Sequence, residues 1–252
     1  YDEGEAHCHP LNYALGIAKA AISAGAKIFE NTPALSYKVN DDHVEVIIKD
    51  GSIKADRVVL ACNGYLGNFE KSLTSKILPM NNYIIATKPL DDEMVQKINP
   101  KDIAFADSRF VINYFRMSAD KRLLFGGGEN YSQELSNNII PIVTKPLEKI
   151  YPFLKGVKID YAWGGKLAIT MNRLPFFTTL HNEKVISAQG YSGQGVALAS
   201  YSGKLVSEKI TGNGKTFDIM AKIPRQSFPG GRFLRNPSMK LGMLYYSLMD
   251  RL

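Results

Sequence analysis

Cysteine is almost missing from this chain: Cys8 and Cys62 are the only two among 252 residues, far apart and without a C-x-x-C partner. That spacing indicates neither a disulfide framework nor a cysteine-based zinc site and suggests a reducing compartment. No apolar run approaches the roughly 18 residues that span a membrane, and no basic-then-apolar leader opens the sequence. The expectation is a soluble, cytoplasmic protein. The formal charge of +7 is modest, and the Lys and Arg residues are scattered, so nucleic-acid binding gains little support. Neither a G-x-G-x-x-G fingerprint nor a P-loop is present, and no Ser/His/Asp or Cys/His arrangement stands out. Internal repeats and low-complexity segments are absent too.

What is present is ordinary globular material, 45% hydrophobic, enough for one large domain or two smaller ones. One stretch organises it. Val185-Ile186-Ser187-Ala188-Gln189 reads as a strand, Gly190-Tyr191-Ser192-Gly193-Gln194-Gly195 as a tight turn, and Val196-Ala197-Leu198-Ala199 as the opening of a helix. Three glycines let backbone N–H groups approach a ligand, and the helix behind points its positive end at the same spot. A plain connection would have the same composition.

Elsewhere, Leu11, Ala14, Leu15, Ala18, Ala21 and Ile22 share one helical face, with Pro10 suited to the first turn and Gly25 to the end. With a helix reached so soon and no initiating Met, the opening reads as the middle of a longer chain. Lys27–Glu30 reads as a strand after that helix, His43–Lys49 and Ile53–Asp56 as a hairpin turning at Asp50-Gly51, and the apolar run in Arg57–Tyr65 as a strand buried on both faces that ends in the Asn63-Gly64 turn. Past Pro79 come aromatic-rich segments at 83–87, 110–116 and 122–128, the last two a hairpin, then a short helix at 144–151 and a strand at 158–163. The tail from Phe217 is Pro-rich and basic, closing on a docking helix at 241–249. The fold class is α/β (α+β).

Three stretches, Ala55–Tyr65, Trp163–Pro175 and Gly190–Gly195, resemble in order the FAD-dependent oxidoreductases of the D-amino-acid oxidase, glycine oxidase and sarcosine oxidase type. His9–Gly16, Ala106–Arg116 and Leu167–Pro175 extend the resemblance to the gamma-glutamylputrescine oxidase branch, over nearly the whole chain. The resemblance implies part of a Rossmann-like FAD-binding domain with an inserted antiparallel-sheet substrate domain. Its divisions are 1–78 and 159–216 for the FAD domain, 79–158 for the insertion and 217–252 for the tail. It implies that Ala34 lies near the adenine and that Ala61, Cys62, Asn63 and Gly64 pass close to the cofactor. Gly190, Tyr191, Ser192, Gly193, Gln194, Gly195 and Val196 would contact the flavin pyrimidine edge, where reduction places negative charge that a helix N-terminus stabilises.

The departures are informative. Where amino-acid oxidases of this type carry G-x-R-P-x-T-P-D, this chain has Gly165-Lys166-Leu167-Ala168-Ile169-Thr170-Met171-Asn172. Leu167 replaces the arginine, and a leucine cannot pair with an α-carboxylate. An α-amino acid gives way to an amine, oxidised to an imine and then an aldehyde, with oxygen reduced to hydrogen peroxide. The opening nucleotide fingerprint of the family is missing, so pyrophosphate and ribose sites cannot be assigned. His9, Tyr114, Phe115, Trp163 and Leu167 are candidates for the substrate pocket, the aromatics equally suited to a sheet interior. Cys62 reads as packed, Lys166 as solvated, and His7 with His9 as too few for a metal site. Two further readings stay open: a dehydrogenase passing electrons to another acceptor, and an incomplete flavoprotein that acts only with a partner.

Overall fold

Pro10 begins α1 (Pro10–Ser23), where its missing N–H costs nothing, and the His9 ring caps the helix by accepting from the N–H of Asn12 at 3.3 Å. Gly25, at φ +94°, ends the turn that follows. The computed structural model describes residues 4–109, 112–127 and 134–231, together with 234, 237, 241 and 242. Within these, the strand expected at 27–30 does not form. An apolar run becomes a strand only when a neighbour completes its ladder, and here Ile28 and Phe29 are exposed with no strand beside them.

The first sheet is a meander of β1 (Ser36–Val39), β2 (Val44–Ile48) and β3 (Gly51–Ala55). Ile48 pairs with Gly51, so the hairpin turns at Lys49-Asp50, one residue before the expected Asp-Gly. β4 (Val58–Leu60) is shorter than the apolar run around it, and Val59 is 39% exposed, so this strand is not buried on both faces. A 3-10 turn over Asn63–Tyr65 and the short α2 (Lys71–Thr74) follow.

The chain then enters the aromatic region through β5 (Leu78–Thr87), α3 (Asp92–Ile98), β6 (Phe105–Ala106), β7 (Tyr114–Met117), β8 (Leu123–Gly126) and α4 (Ile139–Ile150). Phe110, Val111 and Gly128, expected in strands, lie outside the described residues. Asp91 caps α3 by accepting from the Met94 N–H at 2.8 Å. β9 (Ile159–Ile169) runs eleven residues, past the expected end at 163. The sheet order is β6-β7-β8-β5-β9, and the resolved β5–β8, β6–β7 and β7–β8 pairs are antiparallel. One face packs Tyr83, Ile85, Leu123 and Phe125 against Val143 and Leu147 of α4 and Ile98 of α3.

The remaining elements are β10 (Phe176–Leu180), β11 (Val185–Gln189), α5 (Gly195–Ile210) and α6 (Lys215–Ala221). β11 lies between β10, antiparallel, and β4, parallel. Parallel pairing needs a long crossover, which the intervening chain supplies. The chain divides into two compact units, one of Cys8–Leu78 with Ala168–Phe228, the other centred on Pro79–Leu167. β9 starts just after the division expected at 158/159, the units instead part within it between Leu167 and Ala168, and 217–228 belongs with the first unit. Of the helix expected at 241–249, only 241 and 242 are described.

Candidate functional site

β11 is buried along its whole length, and the turn after it is braced from both sides. Asn63 Oδ1 accepts from the Gly190 N–H at 3.1 Å, tying the turn to the end of β4. On the other side Ser192 donates its N–H to Ala168 O at 2.9 Å, and Ser192 Oγ accepts from the Thr170 N–H at 3.3 Å. Gly190 has φ +76°, and a Cβ there would stand 2.6 Å from Thr170 Cγ2, so both conformation and space require glycine. Gly193, at φ +99°, has nothing within 4 Å of a Cβ position: the chain bends there beside open space.

Behind the turn, α5 begins with no side-chain cap, since Gln194 makes no capping hydrogen bond. The first-turn N–H groups of a sixteen-residue helix thus keep their donors and their share of the helix dipole for a ligand or solvent. Tyr191 locks the turn from below by donating its hydroxyl to Ala188 O at 2.9 Å, and burial pushes its phenol upward in pKa.

A cleft of about 480 Å³ opens beside this helix start. Tyr13 and Ile17 of α1 form one wall, Val196 and Ala199 of α5 the other, and Val59 and Ala61 the floor, so the surface is mainly apolar. Of the residues expected at the cofactor, Ala61, Asn63, Tyr191, Gly195 and Val196 line it. Gly190, Ser192, Gly193 and Gln194 form the turn itself. Cys62 packs on the opposite side of the sheet with Leu60 and Leu66, where burial pushes its thiol up and away from thiolate chemistry. Gly64 is buried in the 3-10 turn, and Ala34 is exposed and outside the cleft.

Two features went unread in the sequence. Gly195, Ala199 and Gly203 recur every fourth residue, the spacing that gives α5 a small-residue stripe along the cleft. Gln189 is fully buried, and neither polar atom of its carboxamide has a hydrogen-bond partner. No sequence pattern announces an orphaned amide.

The substrate candidates divide between the units. His9 is the α1 cap. Tyr114, Phe115, Trp163 and Leu167 belong to the other unit. Phe115 stacks between Phe105 and Phe125, with centroids 5.0 and 5.4 Å away, which makes it part of the helix-facing core. Tyr114 takes the opposite face, Trp163 is 43% exposed and Leu167 is half-buried. Among the described residues, no group of three or more His, Cys, Asp or Glu side chains could hold a metal ion, and no helix is long and apolar enough to cross a membrane.

Comparison with known proteins places this geometry. The chain is 39% identical over 250 residues to the probable oxidoreductase OrdL of Rhizobium meliloti (strain 1021), covering 99% of this chain and 58% of that protein. It is 36% identical over 252 residues to gamma-glutamylputrescine oxidoreductase of Escherichia coli (strain K12), covering 100% of this chain and 59% of that protein. It therefore spans less than two thirds of the length of these relatives. In fold it is similar to glycine oxidase from Bacillus cereus ATCC 14579, with a TM-score of 0.66 at 18% identity over 83% of this chain and 58% of that one. L-Proline dehydrogenase from P. horikoshii gives a TM-score of 0.64 at 23% identity over 80% and 55%. Residues 1–209 match the model of the FAD dependent oxidoreductases, DAO, and the chain belongs to that family.

Proposed function

We propose that this chain supplies the flavin-ring and substrate portions of an FAD-dependent amine oxidoreductase acting on gamma-glutamylputrescine or a similar acylated amine. The observation that carries the reading is the uncapped start of α5 behind the Gly190–Gly195 turn, beside an apolar cleft. A flat, largely apolar ring with an electron-rich edge fits that pairing of surfaces. Gly193 leaves space at the turn that a side chain would fill. Gly193, Gly195 and Val196 would hold the ring edge, and Ala61 and Asn63 would lie against it.

Bound FAD supplies the two-electron acceptor for a C–N bond, and dioxygen takes those electrons to give hydrogen peroxide. The chain's own part is orientation, exclusion of water and electrostatics. Asn63 fixes the turn through Gly190, so the helix start keeps its aim. Leu167 stands where an α-carboxylate would need a guanidinium, which favours an amine whose acid group, if any, is remote from the carbon oxidised. The amine gives two electrons and two protons to become an imine, which water hydrolyses to an aldehyde.

The test is the visible absorption spectrum of the purified chain after dialysis against FAD, before and after anaerobic addition of gamma-glutamylputrescine. Flavin bands that persist and then bleach support the reading, and steady peroxide formation in air selects an oxidase over a dehydrogenase. A second reading, a flavoprotein portion that acts only with further sequence or a partner, is favoured by α1, which has no buried residue. No flavin retained by the chain alone would favour it.

A further inference from the structure

Gly190 is pressed against two neighbours. A Cβ there would stand 2.6 Å from Thr170 Cγ2 and 3.5 Å from Phe176 Cβ, so the turn keeps its place only while the 170–176 segment keeps its own. That segment has little of its own to hold it. Residues 171–174 are all exposed, and Arg173 sits at φ +61°. Its local ties are the Thr170 hydroxyl, which donates to Leu174 O at 2.8 Å, and Asn172 Oδ1, which accepts from the Leu174 N–H at 3.1 Å. An exposed loop without buried side chains opens readily unless something outside it supplies the restraint.

The restraint comes from the chain after α6. Asn172 Nδ2 donates to Pro224 O at 3.2 Å. Arg225 lies over the Phe176 ring, 5.7 Å from its centroid, and its guanidinium joins separate pieces of backbone. Nη2 donates to Pro175 O at 2.7 Å and to Met220 O at 3.0 Å, while Nη1 donates to Ile223 O at 2.7 Å. Burial pushes the pKa of this group down, and among the described residues no carboxylate forms an ion pair with it. What keeps a guanidinium in such a place is its planar spread of donors, which a compact ammonium lacks. The far end of the segment is tied down as well. Lys76 Nζ donates to Arg225 O at 3.0 Å and the Phe228 N–H to Ser75 O at 3.0 Å. Residues 222–228 thus run as a strap from the end of α6 to the end of α2, beyond the 1–209 that match the family.

We propose that Arg225 is a positioning residue: from the strap it holds the 170–176 segment against Gly190 and so sets the glycine turn, with Asn172 as the second tie. The proposal rests on the flavin reading of that turn and deepens it, since it makes cofactor retention depend on a segment outside the family match.

The experiment is amide hydrogen exchange of the full chain without cofactor, read by mass spectrometry on peptides covering 186–194, with FAD affinity measured on the same samples. Arg225→Met keeps the apolar stem and removes the donors. It should speed exchange in that peptide about tenfold, the scale of one hydrogen bond from a charged donor, while peptides from β1 to β3 and from β7 and β8 keep their rates. Arg225→Lys should act like Arg225→Met, because charge alone does not span Pro175 and Met220. Asn172→Ala should give a smaller change of the same sign. No change at 186–194, faster exchange in every peptide together, or full rescue by lysine overturns the proposal. Should circular dichroism show Arg225→Met unfolded, Asn172→Ala decides alone, since its side chain is exposed. FAD should bind Arg225→Met about tenfold more weakly than the parent, the same bond read through the cofactor. Unchanged FAD affinity beside faster exchange upholds the strap and overturns the flavin reading of the turn, and if the parent binds no FAD the exchange rates decide.

Discussion

Single residues decide what the glycine turn can hold. Gly193→Val would put a β-branched side chain at φ +99° in the space open beside the turn. The expected result is loss of flavin from the protein with little change in thermal midpoint, read from absorbance and a melting curve; unchanged flavin content would place the cofactor elsewhere. Chemistry at the thiols separates in the same way. Cys8 is exposed, whereas Cys62 is partly buried with its thiol pushed up by desolvation. A thiol reagent at neutral pH should label Cys8 promptly in the native protein and Cys62 only slowly, with both reacting at once in denaturant. At Glu70, burial raises the carboxyl, but hydrogen bonds from Ser72 and Tyr37 outweigh it and hold the group below its ordinary 4.5. A depressed folded value means stability that is fully present above 4.5 and lost as pH falls through the folded value. Glu70→Gln should thus be less stable than the parent at neutral pH, and the difference should shrink below pH 4.5 in urea titrations. A constant gap down to strong acid would remove Glu70 from that account.

At the scale of elements, the stack Phe105–Phe115–Phe125 shows where burial energy is concentrated in the antiparallel unit. Phe125 is fully buried, and Phe125→Ala should cost about 3–5 kcal/mol, seen as a lower urea midpoint. Which elements could be read from sequence follows from how locally each is specified. α1 announced itself through Pro10, its apolar spacing and Gly25, all within one segment. The strand–turn–helix at 185–210 did so through β-branched residues and glycines. α3 was hidden because its signal is the Asp91 cap and a charged first turn, which composition alone assigns to a loop. β1 and β10 were missed because their ladders depend on partners elsewhere in the chain, and the false strand at 27–30 is the same dependence in reverse. The site divides along that line too. The turn glycines could be read directly, whereas the Asn63 brace joins residues 127 positions apart.

For the molecule as a whole, the distribution of exposed apolar surface is lopsided. α1 has no buried residue, and Leu11, Leu15 and Ile22 are 60%, 58% and 56% exposed on it. Among the described residues β4 ends its sheet, with Val59 on the floor of the apolar cleft. Scattered leucines on a surface are ordinary, but several on one helix face beside a cleft and a bare strand edge amount to a patch that water disfavours and another surface would cover. The chain on its own should therefore enhance the fluorescence of a hydrophobic dye and sediment as a concentration-dependent mixture. Leu15→Lys with Ile22→Lys should lower both signals while shifting stability by no more than about 0.5 kcal/mol, because neither side chain is packed. A sharp loss of stability in that double variant would show that α1 is already covered in solution, and the dye signal of the parent would then have to be absent as well.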